Sequence, residues 1–133
     1  MASSRALTVN AISPQGTITG FFDSNGNHGY VRARDGTFIT FDVPGAGTGS
    51  GHGTFAFSIN PAETITGFYV DASGLAHGFV RARDGAITTF DAPGAGTGIN
   101  QGTLPSMPNP PGAIVGSFLD ASNAFHGFLL EGE

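Results

Sequence analysis

The chain repeats itself with a period of 49 residues, and this periodicity limits the fold more than any other feature. The motif RARDG begins at Arg32 and again at Arg81, and PGAGTG begins at Pro44 and again at Pro93. Self-similarity at about 40 to 50 residues is typical of propeller blades and related repeated sheets. The sequence therefore predicts a chain built from copies of one small unit.

Three copies account for the whole sequence. Repeat 1 covers about 7–49, repeat 2 about 50–98 and a partial repeat 3 about 99–133, so that residues 1–133 make a single repeat domain. The segments SPQGTITG, NPAETITG and NPPGAIVG, which begin at Ser13, Asn60 and Asn109, support the same division. The third copy reaches Glu133 with three of the expected four elements.

Each copy reads as four short β-strands, and no window shows the 3.6-residue apolar stripe of a helix. Apolar residues alternate with polar or small ones, as they do when one face of a strand is buried. Phe55, Phe57 and Ile59 share one face of the first strand of the second copy. The four strands of that copy are expected at residues 54–60, 64–70, 77–83 and 86–91. The predicted fold class is all-β.

Tight turns are expected where Asp-Gly or Asn-Gly pairs stand between strands. A two-residue type I′ hairpin needs positive φ at both central residues, which Gly, Asn and Asp tolerate best. The sequence therefore predicts type I′ turns at Asn25-Gly26, Asp35-Gly36 and Asp84-Gly85.

The Gly-rich loop FDVPGAGTGSGHG at residues 41–53 returns as FDAPGAGTGINQG at residues 90–102. A phosphate-binding loop opens a helix whose aligned amide groups hold the anion, and no helical pattern follows here. The alternating Gly45, Gly47, Gly49 and Gly51 match neither GxxxxGK[ST] nor GxGxxG. The loop is therefore interpreted as a connection between copies.

The repeated pattern SINPAETITGFYVDASGLAHGFVRARDGAITTFDAPGAGTG resembles the bacterial extracellular repeat proteins of the HAF type. Units of that family carry an Ile-Asn, a Gly-x-Ile-x-Gly and a His-Gly/Ala-Phe element. The resemblance spans nearly the whole chain. It implies a β-propeller-like array and an extracellular or cell-surface location.

Closure of such an array is the next question, because propellers need about four to eight blades. Two chains supply six, so the first expectation is a homodimer that closes a six-bladed propeller and covers the free sheet edges. The alternative is a single-chain threefold barrel of the β-trefoil type. In the third copy, Pro105 and Pro108 each remove a backbone donor, which predicts an edge strand or a loop.

Composition excludes several functional classes. The net charge is −5 and all five basic residues are Arg, so no basic footprint for nucleic acid is present. The absence of Cys rules out disulfides and thiolate chemistry. The start MASSRALTVN lacks the apolar core of a signal peptide, and no run of about 18 apolar residues predicts a membrane span. No cofactor is expected.

Three histidines, His28, His77 and His126, occupy equivalent positions. Under threefold symmetry they could form a zinc-like site with an open position. The favoured interpretation is that each makes the same local contact in its own copy, so no metal is predicted. The hairpin loops begin at Asp23, Asp71 and Asp120, whose spacing is too sparse for a calcium loop and typical of Asx-turns.

Paired arginines complete the set of predicted ligand-binding residues, which joins the three histidines to Arg32, Arg34, Arg81 and Arg83. Residues at i and i+2 of a strand project from one face. Such a face is either solvated, with weak ion pairs to Asp35 and Asp84, or a site for a carboxylate ligand that matches the guanidinium fork.

Two classes of function follow from these residues. The first is a non-catalytic extracellular scaffold or binding module, with itself as partner and a glycan or small acidic ligand at its surface. The second is a small hydrolase or lyase that uses Asp, His and Arg from different repeats at a shared channel. The first is favoured because catalysis needs unlike groups, and these residues repeat.

Overall fold

The computed structural model describes residues 7–98, 101–108 and 114–130, and within these ranges all regular structure is β-strand. Eleven strands form one open mixed sheet. The all-β prediction is confirmed. The strands are β1 Leu7–Ile12, β2 Ile18–Asp23, β3 Asn27–Arg32, β4 Phe38–Phe41, β5 Gly53–Ile59, β6 Ile65–Val70, β7 Ala76–Arg81, β8 Ile87–Phe90, β9 Gly102–Pro108, β10 Ile114–Leu119 and β11 Phe125–Leu130.

The strands follow the division of the sequence into copies. The antiparallel meanders β1–β4, β5–β8 and β9–β11 belong to the first, second and third copy. In the second copy each strand begins and ends within two residues of its predicted position. Alternation of apolar residues was therefore sufficient to locate these strands.

Neighbouring copies are joined by a single parallel pair at the start of each following copy. Asn27 of β3 pairs with Gly53 of β5, and Ala76 of β7 pairs with Gly102 of β9. Gly53 and Gly102 have φ of +110° and +108°, and a Cβ on either would overlap the backbone of its partner. Only glycine allows so close an approach at this φ.

Hydrogen bonds from the backbone of the Pro-Gly loops also hold each junction together. The amide of Gly47 donates to the carbonyl of Val70 at 2.8 Å, and the amide of Gly96 donates to that of Leu119 at 2.7 Å. The fully buried hydroxyl of Thr54 accepts a hydrogen bond from the amide of Val43 at 3.0 Å. The loops therefore connect copies, as predicted, because their backbone groups are used in binding the next copy.

The core lies between the first and second copies. Its buried residues are Val43, Ala56, Ile65, Tyr69 and Phe79. The Phe79 ring meets Phe41 of the preceding copy edge to face, with centroids 5.9 Å apart. Phe128 meets Phe90 in the same way at 6.3 Å. One aromatic contact is thus used at both junctions.

The predicted type I′ turns are wrong at Asp35-Gly36 and Asp84-Gly85. Gly36 and Gly85 have φ of +95° and +96°, but neither preceding Asp has a positive φ. The amide of Gly36 donates to the carbonyl of Ala33, which defines a type I turn followed by a left-handed glycine. At Asn25-Gly26 both residues have positive φ, as a type I′ turn requires. Three residues separate the paired Asp23 and Asn27, however, so the loop is not the two-residue hairpin that was predicted.

The segment with Pro105 and Pro108 forms a strand and not a loop. β9 pairs with β10 from Gly102 to Pro108, while its parallel pairing with β7 is confined to Gly102. Since the rest of β9 is paired on one side alone, proline can occupy a position that needs no donor. The predicted loop is wrong, and β9 lies between β7 and β10 in the sheet order, although after Gly102 it pairs with β10 alone.

The junction glycine provides a test of this account of the fold. We expect Gly53→Ala to lower the free energy of unfolding by roughly 3 kcal/mol or more, because the new Cβ meets the backbone of Asn27. The control is Gly51→Ala, where φ is +79° and nothing lies within 4 Å of the new Cβ. That variant should lose only about 1 kcal/mol for the left-handed backbone. Equal losses in urea unfolding would contradict the close-approach argument.

Candidate functional site

The three predicted histidines lie at the same register position of β3, β7 and β11. Each ring packs on an aromatic ring of the adjacent strand, with centroids 4.9 to 5.3 Å apart. Each also bonds to at least one carboxylate. The favoured prediction, one local contact made in every copy, agrees with this geometry. The pairs are His28 with Phe22, His77 with Tyr69 and His126 with Phe118.

His77 has the most complete set of partners. Its Nδ1 lies 2.6 Å from Asp91 Oδ1, and its Nε2 lies 2.9 Å from Asp71 Oδ2. Asp71 also accepts hydrogen bonds from the amides of Ser73 and Leu75. An imidazole with a carboxylate at both nitrogens is best satisfied when both nitrogens carry a proton. His77 therefore ties the β6–β7 hairpin to the end of β8 as a charged clamp.

The other two clamps are smaller. His28 Nδ1 lies 2.6 Å from Asp42 Oδ1, but its Nε2 faces the carbonyl oxygen of Ser24 at 2.9 Å. His126 bonds to Asp120 at 2.8 Å. The number of acidic partners thus falls from two at His77 to one at each of the other histidines.

The pKa values reflect these surroundings. Burial lowers the pKa of His77, but hydrogen bonds to Asp71 and Asp91 outweigh it and raise the pKa above 6.5. The pKa of His28 is raised chiefly by its hydrogen bond to the Ser24 carbonyl. Burial of Asp71 opposes ionisation, yet the bonds from His77, Leu75 and Ser73 lower its pKa overall. The contact between His77 and Asp71 is therefore strongest when the imidazole is protonated and the Asp71 carboxyl group is ionised.

These clusters do not form a metal centre. The described residues contain no group of three or more His, Asp or Glu side chains placed to hold an ion. Each histidine instead belongs to its own hairpin. Asp71 and Asp120 each accept two backbone amides of the following loop, which is the expected Asx-turn.

The arginines occupy different surroundings from one another. Arg81 is half-buried, with its guanidinium carbon 5.0 Å from the centre of the Phe41 ring. Its Nε is buried without a hydrogen-bond partner, and burial lowers its pKa. Arg32, Arg34 and Arg83 are exposed. Arg81 thus packs as part of the junction between the first two copies.

The expected ion pairs between these arginines and Asp35 or Asp84 do not form. Within the described ranges every ion pair involves a histidine. Asp35 accepts the amide of Thr37, and Asp84 accepts that of Ala86. No described hydrogen bond joins an arginine to a histidine clamp, so the predicted residues fall into separate groups.

A groove at the junction of the second and third copies was not predicted. Its volume is about 350 Å³. No Asp, Glu or Arg contributes to its lining. The only sequence signal was that His52 in the first Gly-rich loop is replaced by Gln101 in the second. The lining residues are Ser50, Gly51, His52, Phe68, Val70, Gly74, Ala76, Gln101 and Leu104.

Comparison with known proteins finds no matching family model, curated protein or solved structure. The part of the chain that the structure describes holds no helix long and apolar enough to cross a membrane. Function must therefore be argued from the geometry of this chain.

The His77 clamp predicts a dependence of stability on pH. Because the folded state raises the pKa of His77, its contribution is complete below 6.5 and is lost as the pH rises through the folded value. As the pH rises above about 6.5, we therefore expect the free energy of unfolding to fall. His77→Gln should reduce that slope, measured by urea unfolding at several pH values.

The matched control for this prediction is His126→Gln, because His126 is more exposed and bonds to a single carboxylate. It should leave the slope closer to that of the unchanged protein. An identical slope for the unchanged protein and His77→Gln would show that the clamp does not favour the charged ring.

Proposed function

We propose that this chain is a non-catalytic repeat module of the cell exterior that closes with a second copy into a six-bladed propeller and binds glycans or other surface ligands. The observation that carries the proposal is the exposure of apolar residues at both ends of the sheet. The equivalent positions of the strands that lie at the internal junctions are buried.

The first end is the surface of β1. Val9 is 63% exposed, whereas Ala56, which holds the same register position in β5, is 0% exposed. Leu7 is likewise exposed where its counterpart Thr54 is fully buried. In β5 this surface is covered by the first copy. An equivalent cover for β1 would have to come from outside the described residues.

The second end is formed by β10 and β11. Val115 is 48% exposed, while Thr66 at the same position of β6 is 0% exposed. Phe125 is 69% exposed, while Ala76 at the same position of β7 is 7% exposed because the next copy covers it. Large exposed apolar surfaces of this kind mark interaction sites.

In the proposed dimer, the two ends contact each other through the same positions that neighbouring copies use at a junction within one chain. The end formed by β10 and β11 holds the positions that receive a following copy, and β1 holds the positions that a preceding copy covers. A second chain can therefore add its β1 to this chain's β11 end and receive this chain's β1 in return. Such a heterologous contact closes after two chains into six units.

A non-catalytic role is supported by the structural roles of the repeated polar residues. The histidines and their acids hold hairpins and loops together, and Arg81 packs on Phe41. The groove is lined by apolar and polar side chains, which suits the binding of a ligand. The extracellular location rests on the resemblance of the repeats to the HAF type.

Light scattering tests the assembly. We expect a mass twice the 13.5 kDa of one chain. Val9→Glu and Phe125→Glu should each raise the dissociation constant at least ~100-fold, because a carboxylate enters an apolar contact. Thr40→Glu, on the exposed face of β4, is the control and should remain dimeric.

Mixing the two variants distinguishes this arrangement from other dimers. Val9→Glu leaves the β11 end intact and Phe125→Glu leaves the β1 end intact, so a mixture contains one good interface and should associate again. A monomer at all concentrations, or no association in the mixture, would contradict head-to-tail closure.

A further inference from the structure

The groove lies where the second junction lacks an aromatic ring that is present at the first. At the first junction Phe21 meets Phe55 with ring centroids 4.9 Å apart. At the second junction Phe68 takes the place of Phe21, and Leu104 takes the place of Phe55. A branched aliphatic side chain is smaller than the phenyl ring that it replaces. The groove lies at this point of difference between the two junctions.

The lining combines two kinds of side chain, and we call the apolar ones the floor and the polar ones the rim. Phe68, Val70 and Leu104 supply an apolar floor. Ser50 and His52 stand on the rim, and none of the hydrogen bonds found within the described residues uses their side chains. A hydroxyl and an imidazole each donate and accept hydrogen bonds. This rim can therefore serve ligand hydroxyl groups in either role.

The opposite rim is held rigid by Gln101. Its Nε2 donates to the carbonyl of Ala121 at 3.2 Å and to Asn123 Oδ1 at 3.0 Å, and its Oε1 accepts the amide of Gly98 at 2.9 Å. A side chain fixed at both ends loses no freedom when a ligand arrives. The groove is thus preorganised on this side.

We propose that the groove binds a neutral saccharide of one or two rings, a deepening that rests on the proposed binding function. A pyranose ring has an apolar face of C–H groups, which packs on aromatic and aliphatic side chains, and an edge of hydroxyls that suits the rim. The lining contains no Asp, Glu or Arg, and His52 is its one titratable side chain, which favours a neutral ligand. A volume of about 350 Å³ is at the small end of ligand pockets, which are roughly 300–1,000 Å³.

The test is a titration of the isotope-labelled 133-residue protein with cellobiose, maltose and chitobiose, followed by amide chemical shifts. We expect saturable shift changes at the lining residues with at least one of these sugars. Leu104→Phe restores the ring present at the first junction and should abolish the changes. His52→Ala should weaken binding about tenfold through the loss of a hydrogen bond.

Ser73→Ala is the matched control, because Ser73 lies on the exposed hairpin beside the groove without lining it. It should bind as the unchanged protein does. Shift changes confined to other surfaces, or changes seen with glucuronate and with none of the neutral sugars, would overturn the proposal.

Light scattering on the same samples separates the two proposals. A dimer that binds none of these sugars overturns the saccharide site and leaves the assembly standing. A monomer that binds one of them, with loss of binding in Leu104→Phe, supports the site and overturns the assembly.

Discussion

The close parallel approach of two backbones at the start of each new copy is the constraint on which the rest of the structure depends. At Gly53 and Gly102 the chain passes within a distance that no Cβ permits, with a φ near +110° that favours glycine. This contact fixes where β5 and β9 begin. The buried hydroxyl of Thr54, one residue later, can then accept the amide of Val43. Each Pro-Gly loop is long enough to reach back to the same junction, which explains why glycine and proline recur with the period of the repeat.

The histidine clamps solve a second problem, which is how to hold hairpin loops that bury little apolar surface. Each imidazole packs on an aromatic ring, stacked at His77 and His126 and tilted by 35° at His28, so that its edges remain free for hydrogen bonds. At His77 the two edges join Asp71 in the hairpin to Asp91 after β8. Two loops of the same copy are thereby held by one side chain. Repeated use of an imidazole–carboxylate pair at a partly exposed site explains why polar residues recur as regularly as apolar ones.

The sequence predicted most of the strands and few of the contacts between copies. Alternating apolar residues located the strands, because a half-buried strand imposes a period of two. The turns were wrong at Asp35 and Asp84, because an Asp-Gly pair serves a type I turn with a following left-handed glycine as well as a type I′ turn. The ion pairs expected of the arginines do not form within the described residues, and at Arg81 the ring of Phe41, 40 residues earlier in the chain, packs against the guanidinium instead. Contacts between copies depend on the relative position of two units, which local pattern does not contain.

On the proposed function, residues that differ between copies would form the binding site. A residue that is the same in every copy makes a structural contact that every copy needs. The repeated histidines, glycines and threonines make such contacts. Leu104 stands where the preceding copy has Phe55, and Gln101 stands where it has His52, so these positions are not needed for a contact shared by all copies. Leu104, His52 and Gln101 all line the groove. Substituting a smaller core residue ordinarily costs stability through the cavity it leaves. On the proposed function, the hydrogen-bonding groups of Ser50 and His52 beside this cavity would be used by a ligand.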